Sequence, residues 1–116
     1  MNAERKAQFG ILAKKLKGMT EAQKVNMILN RGIVNVKGKA LSLHNNCLLL
    51  LQANGTTPTV VGGYRQWKVT GRQVQKGQHG LMIWYPSRRK VEGEEEKVNF
   101  YVGTVFDISQ TKEAEA

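Results

Sequence analysis

Apolar residues in the first half of the chain recur at helical spacing, whereas those beyond residue 80 alternate with polar ones. In Ala3–Lys17, the residues Ala7, Ile11, Leu12 and Leu16 fall on one side of a 3.6-residue helix, and Gly18 is placed to terminate it. Thr20-Glu21-Ala22-Gln23 has the spacing of a capping box, and Val25, Ile28 and Leu29 follow before Gly32, so a second helix is predicted. Ile33-Val34-Asn35-Val36 is short and β-prone, and Lys37-Gly38-Lys39 is turn-like. Ser42 can then cap a third helix that carries Leu43, Cys47, Leu48 and Leu51 inward until Asn54-Gly55. With its leucine run, this helix is expected to be the most buried.

The next stretch, TTPTVVGG, reads as a loop. Residues 64–70 read as a short helix ended by Gly71, and Lys76-Gly77-Gln78-His79-Gly80 as a turn. Residues 81–85 and 98–108 are rich in β-branched and aromatic side chains, and a charged connection with Gly93 near its middle joins them into a hairpin. Alternation puts Leu81, Ile83 and Tyr85 on one face of the first strand and Met82 and Trp84 on the other. Helices first and strands afterwards predict an α+β fold: N-terminal helices packed on a small antiparallel sheet or hairpin formed by the C-terminal half. The 116 residues suit one domain, residues 1–111, with 112–116 as a tail.

Charge changes the picture more than composition does. With 41% apolar residues the chain can fold, but 18 Lys and Arg against nine Asp and Glu give a net charge of +9 and a pI near 9.9. Between Glu21 and Glu92 there is no acidic residue, while Lys24, Arg31, Lys37, Lys39, Arg65, Lys68, Arg72, Lys76, Arg88, Arg89 and Lys90 all lie in that interval. Such a balance favours an anionic partner and excludes an acidic mimic of DNA. Lys14, Lys15 and Lys17 read as a solvated helix face, and the acids of residues 92–96 as a solvated hairpin tip. The longest apolar run, CLLLLQA, is far short of a membrane span, and charges interrupt the N-terminus before a signal-peptide core develops. Cys47 is the one cysteine, which rules out an internal disulfide and suits a reducing cytoplasm.

The inventory for catalysis is poor. His44 and His79 are the two imidazoles, Asp107 is the sole Asp, and HExxH, CxxC, GxGxxG and the Walker pattern are all absent. The acid-free interval removes a paired-carboxylate or carboxylate-metal centre from the middle of the chain. We therefore expect no enzyme, no metal site and no cofactor.

A nucleic-acid strand fits better. Residues 63–86, GYRQWKVTGRQVQKGQHGLMIWYP, interleave Tyr64, Trp67, Trp84 and Tyr85 with Arg65, Lys68, Arg72 and Lys76, with no carboxylate among them. Phosphates attract Lys and Arg, unstacked bases need flat partners, and glycine at 71, 77 and 80 can bring main-chain amides close to a phosphate. With Gln66 and Gln73 as polar neighbours, Tyr64, Arg65, Trp67, Lys68, Arg72, Lys76 and Trp84 form the candidate interface, in which one or two aromatics stack on bases. Packing competes with that role: Trp67 lies three residues after Tyr64, so one of the two anchors the short helix, and only one of Trp84 and Tyr85 can face a ligand. Arg88-Arg89-Lys90 is expected to be partly neutralised by the neighbouring acids.

Three ordered motifs, SLHNNCLLLLQ, VGGYRQWKVTGRQVQKGQHGLMIWYP and VFDISQT, resemble those of the N-terminal domain of ArdC-type antirestriction proteins, carried by plasmids, phages and other mobile elements. The resemblance covers residues 42–111. It implies a single-stranded-DNA-binding module, often fused to a metallopeptidase-like domain that this chain does not contain, on proteins that protect entering DNA from restriction. By position, its Ser-x-x-Asn feature falls on Ser42 and Asn45, which adds Asn45 to the candidate interface, its aromatic-basic-Gln-Trp feature on Tyr64, Arg65, Gln66 and Trp67, and its Gly-x-x-Val-x-Lys-Gly feature on Gly71, Val74, Lys76 and Gly77. The last motif falls on Phe106, Asp107, Ser109, Gln110 and Thr111, and His79 replaces a residue that is commonly basic in the family. The partner so implied is single-stranded DNA, bound with little sequence preference. RNA binding, and a protein-interaction scaffold whose aromatics are all core, are the readings that compete with it.

Overall fold

Helical spacing is realised in four segments of the computed structural model: α1 (Ala3–Lys17), α2 (Glu21–Ile28), α3 (Leu43–Gln52) and α4 (Tyr64–Val69). The structure describes residues 3–28, 32–53, 56–89, 92–93 and 97–114, and among these all side chains except those of residues 28, 86–89 and 97–100. The capping signals act as the sequence implies. Thr20 N–H donates to Gln23 Oε1 at 2.8 Å and Gln23 N–H to Thr20 Oγ1 at 3.1 Å, closing the box that starts α2. Ser42, in an extended conformation, accepts from Asn45 N–H at 3.1 Å and starts α3.

The strands are β1 (Val34–Asn35), β2 (Val60–Gly62), β3 (Arg72–Val74), β4 (Leu81–Arg89), β5 (Lys97–Asp107) and β6 (Thr111–Glu113). Four of them form a sheet in the order β1-β2-β5-β4, and β3 pairs with β6 in a separate ribbon. The fold is α+β, as expected, but the sheet is mixed. β1 and β2 run parallel, joined through α3, because parallel neighbours need a crossover longer than a turn. The sheet thus takes an edge strand from the N-terminal half, and TTPTVVGG supplies β2 within an expected loop. Residues 112–116, read as a tail, begin with Lys112 and Glu113 of β6, paired to Gln73 and Arg72. Strands of two or three residues are too short to show alternation, which is why the sequence does not reveal them.

Helix α3 lies between the two edges of this curled sheet. Cys47, Leu48 and Leu49 are fully buried, each leucine contributing about 1.5–3 kcal/mol by its removal from water. Leu48 and Cys47 join Phe9, Leu16 and Met82 in one core cluster, while Leu49 joins Ile33, Val61 and Val105 in the other. Alternation along β4 holds: Met82 and Trp84 pack in the first cluster and Leu81 and Ile83 in the second. The helix therefore sits astride the edge of β4 with apolar side chains on both faces of the strand. Burial pushes the Cys47 thiol up, and its Sγ lies 3.5 Å from the carbonyl of Lys24.

Helix α1 is rotated from the expected orientation. Phe9, Leu12, Ala13 and Leu16 form its inward stripe, while Ala7 is exposed and Ile11 is 68% exposed. The i, i+3, i+4, i+7 stripe that begins at Phe9 wins because the phenyl ring packs on Trp84, centroid to centroid 5.5 Å. In α2 it is Met27 that packs against the core, and Val25 is exposed. Leu29 and Asn54-Gly55 lie outside the described residues.

Candidate nucleic-acid interface

Helix α4 is one and a half turns long and is held by one side chain. Gly63 leads into it, with its N–H donating to Gln66 Oε1 at 2.8 Å, so Gln66 serves as the cap of the helix. Trp67 is 3% exposed and its indole N–H donates to the Phe106 carbonyl at 2.9 Å. Gly62 makes room for it: a Cβ there would lie 3.3 Å from Trp67 Nε1 and would also run into Val36. Trp67 is thus the anchor of the pair, and Tyr64 the outward ring.

Anchoring one side of so short a helix exposes the other. Tyr64 is 51% exposed, Arg65 and Lys68 are exposed, and the Lys68 ammonium stands over the Tyr64 ring, 5.1 Å from its centroid. At an exposed site such a cation–π contact contributes about 0.5–1 kcal/mol, enough to bias the ring's orientation without locking it. The helix ends at Gly71, whose φ of +87° is the left-handed conformation that glycine adopts freely and whose N–H returns to the Lys68 carbonyl at 3.0 Å. That amide is used by the helix end.

Beyond the helix the basic residues divide. Arg72 is half-buried, its Nε donating to Thr111 Oγ1 at 2.8 Å and its Nη2 to the Thr111 carbonyl at 3.3 Å. Gln73 is half-buried opposite Lys112, which brings a lysine from β6 beside this segment. Lys76 and His79 are exposed in the turn. That turn is clasped by the FDISQT motif: Gln110 Nε2 donates to the His79 carbonyl at 2.7 Å, and Gln75 N–H donates to the Gln110 carbonyl at 2.9 Å. Asp107, 4% exposed, holds the motif in place. Its carboxylate accepts from Thr59 N–H at 2.8 Å and from the Ser109 amide and hydroxyl at 3.0 and 2.6 Å, a structural assignment for the sole Asp. Gly80 serves packing, since a Cβ there would collide with Thr104.

Two candidate residues are placed in the framework instead. Asn45 Nδ2 donates to the Trp84 carbonyl at 2.6 Å and its Oδ1 accepts from Trp84 N–H at 2.9 Å, so its amide pairs with β4 as a neighbouring strand would. Gln52, two helical turns on, makes the same two-way pairing with Met82 at 2.7 Å in each direction. Trp84 packs between Phe9 and His44, meeting the imidazole edge-on at 5.7 Å and 89°. Tyr85 is the one of that pair that faces outward, 44% exposed. The side chains of Arg88-Arg89-Lys90, and of the acids at 94–96 expected to neutralise them, lie outside the described residues.

Tyr101 belongs with Tyr85 and was not singled out in the sequence. The two are register partners on β4 and β5, with ring centroids 6.0 Å apart at 34°. Every pair of this hairpin is centred on Gly93, at φ +84°, so folding the sequence symmetrically about that glycine would have found the partnership. Among the described residues no group of three His, Cys, Asp or Glu side chains is placed to hold a metal ion, and no helix is long and apolar enough to cross a membrane.

Comparison with known proteins agrees with this architecture. Residues 11–115 match the family model of the N-terminal domain of anti-restriction factor ArdC. The fold is similar to the crystal structures of the antirestriction ArdC protein from the R388 plasmid. The metal-free form superposes with a TM-score of 0.61 at 25% identity over 99% of this chain, and the Mn(II)-bound form with a TM-score of 0.60 at 26% identity over 79%. This chain spans 43% and 39% of the length of those two chains. No curated protein sequence matches it.

Proposed function

The chain belongs to the family of ArdC N-terminal domains, and from that membership and the exposed face of α4 we propose that it binds single-stranded DNA with little sequence preference. The observation that carries the reading is the Tyr64 ring, open to solvent beneath the Lys68 ammonium with Arg65 beside it. A flat π-surface flanked by mobile cations can stack on any base while attracting the adjoining phosphates. Lys76, within the stretch free of acids from Glu21 to Glu92, and Lys112 on the paired strand β6 extend the positive charge beyond the helix. Binding involves no catalytic step. In the cell, coating an incoming strand would shield it from restriction, the role for which the antirestriction ArdC protein of the R388 plasmid is named.

Titration of labelled single-stranded DNA, duplex DNA and RNA, followed by fluorescence anisotropy, tests the proposal. Single strands should bind more tightly than duplex, because no recognition helix with base-reading side chains is present among the described residues, and stacking needs unpaired bases. Equal or tighter duplex binding would overturn the stacking half of the reading. Tighter binding of a matched RNA strand would redirect it to RNA. No affinity for any strand at moderate salt would leave a protein-interaction scaffold.

A further inference from the structure

The β4–β5 hairpin carries a second aromatic surface, separate from α4. Near the start of β4 the face bearing Leu81 and Ile83 is covered by Ile33, Leu49 and Val61. Farther out, the paired residues Tyr85 and Tyr101 are 44% and 47% exposed. The backbone below them is shaped to keep one ring flat. Gly103, diagonal to Tyr85 across the pair, has no side chain where a Cβ would lie 2.6 Å from Tyr85 Cε1 and 2.9 Å from Cδ1. Tyr85 therefore lies across the strand on the glycine and turns its other face outward, with Tyr101 inclined by 34° beside it.

We propose that Tyr85 and Tyr101 form a base-stacking platform on which unpaired bases of a DNA single strand lie, outside the α4 segment. This deepens the function proposed above and rests on it. Charge favours a nucleic acid over other occupants, because the chain carries +9. Two rings are also far too small an apolar area for a stable protein interface, which needs about 800 Å² on each partner, whereas they match the footprint of one or two bases. The exposed π-faces supply what a base needs, and the glycine seat holds Tyr85 ready before binding.

The experiment compares the full chain with Tyr85→Phe, Tyr85→Ala, Tyr101→Leu and Tyr101→Ala on a labelled oligothymidine and on the same strand carrying abasic sites. Tyr101→Leu keeps an apolar contact with Tyr85 while removing the π-face, and Tyr85→Phe keeps the ring, so thermal unfolding of these two should match the parent chain. We expect Tyr101→Leu, Tyr101→Ala and Tyr85→Ala each to weaken oligothymidine binding by about 5- to 150-fold, the size of one base–aromatic stack, and Tyr85→Phe to bind as the parent does. The salt dependence should stay unchanged, and the loss should vanish on the abasic strand. If the parent binds and Tyr101→Leu binds equally well, or loses as much on the abasic strand, the platform is wrong while single-strand binding stands. If the parent binds no single strand, the function proposed above falls, and the platform with it.

Discussion

Asn45 and Asn46, adjacent in sequence, hold opposite edges of the same sheet. Asn45 pairs with both main-chain groups of Trp84 on β4, while Asn46 Oδ1 accepts from the N–H of Ile33, which leads into β1, at 2.7 Å. Successive helical residues point about 100° apart, so a helix lying between two strand edges addresses each with one of two neighbours. Asn46 also donates to the Leu41 and Ser42 carbonyls, fixing the loop that feeds the helix. Asn45→Ala would leave two partly buried main-chain groups on β4 without that partner and should cost about 1–3 kcal/mol in denaturant unfolding. Affinity for single strands should persist where the variant is folded. A variant with an unchanged unfolding midpoint and lost affinity would return Asn45 to the interface.

The tryptophans separate from the tyrosines in the same way. Sequence alone leaves both tryptophans as stacking candidates, at least one of them expected to meet a base, but Trp67 is buried with its indole N–H bonded to Phe106, and Trp84 packs on Phe9 and His44. Trp67→Ala should destabilise the fold by about 3–5 kcal/mol. Trp67→Phe, which fills part of the space but loses the indole bond to the Phe106 carbonyl, should cost less. Tyr64→Ala should leave the melting temperature nearly unchanged and weaken single-strand binding. Thermal unfolding and anisotropy titration of the same preparations check both, and a Tyr64 variant that binds as the parent does would count against the α4 site.

What the sequence made legible follows from the range of the interactions. Capping at Thr20-Gln23 and Ser42, the end of α4 at Gly71, and the two faces of β4 depend on residues a few positions apart, and all were readable. The parallel pairing of β1 with β2, and of Arg72–Val74 with Thr111–Glu113, depends on partners far apart in sequence and on strands too short to carry a pattern. The candidate site divided on the same line. Exposure of Arg65 and Lys68 could be inferred locally, whereas Asn45, Trp84 and Arg72 are polar or aromatic residues whose partners lie 39 or more positions away. One local signal for Asn45 went unused: Gln52 is seven residues on, so both amides share a face of an otherwise leucine-rich helix.

Acidification should loosen the helical layer through His44. Burial, and secondarily the Lys24 ammonium, hold its pKa below the ordinary 6.5, and its Nε2 is buried with no hydrogen-bond partner among the described residues. The unfolded chain takes up this proton at higher pH than the folded one does. Stability from this site is therefore complete above about pH 6.5 and declines as pH falls from there through the lower folded-state value. Denaturant unfolding from about pH 7 to about pH 5 should show that decline, and His44→Gln should flatten it. An equal slope in the variant would assign the pH dependence to other groups.

Phosphate contact is read through salt. Each lost contact lowers the log–log dependence of affinity on salt by about 0.7 for a single strand, whatever its sequence. Arg65, Lys68 and Lys76 are exposed, so Arg65→Glu, Lys68→Glu and Lys76→Glu should each reduce that slope while the melting temperature holds. Arg72 is different. Its guanidinium already bonds Thr111 across the β3–β6 ribbon, so Arg72→Ala should lower the melting temperature, and any change in affinity should follow from a loosened turn at Lys76. Lys112→Glu then decides whether the ribbon itself touches the strand, since Lys112 is exposed opposite Gln73. A reduced slope in Lys112→Glu would extend the phosphate track onto β6. An unchanged slope in all four charge variants would move the track off this segment, making the exposed Lys14, Lys15 and Lys17 of α1 the next cations to reverse.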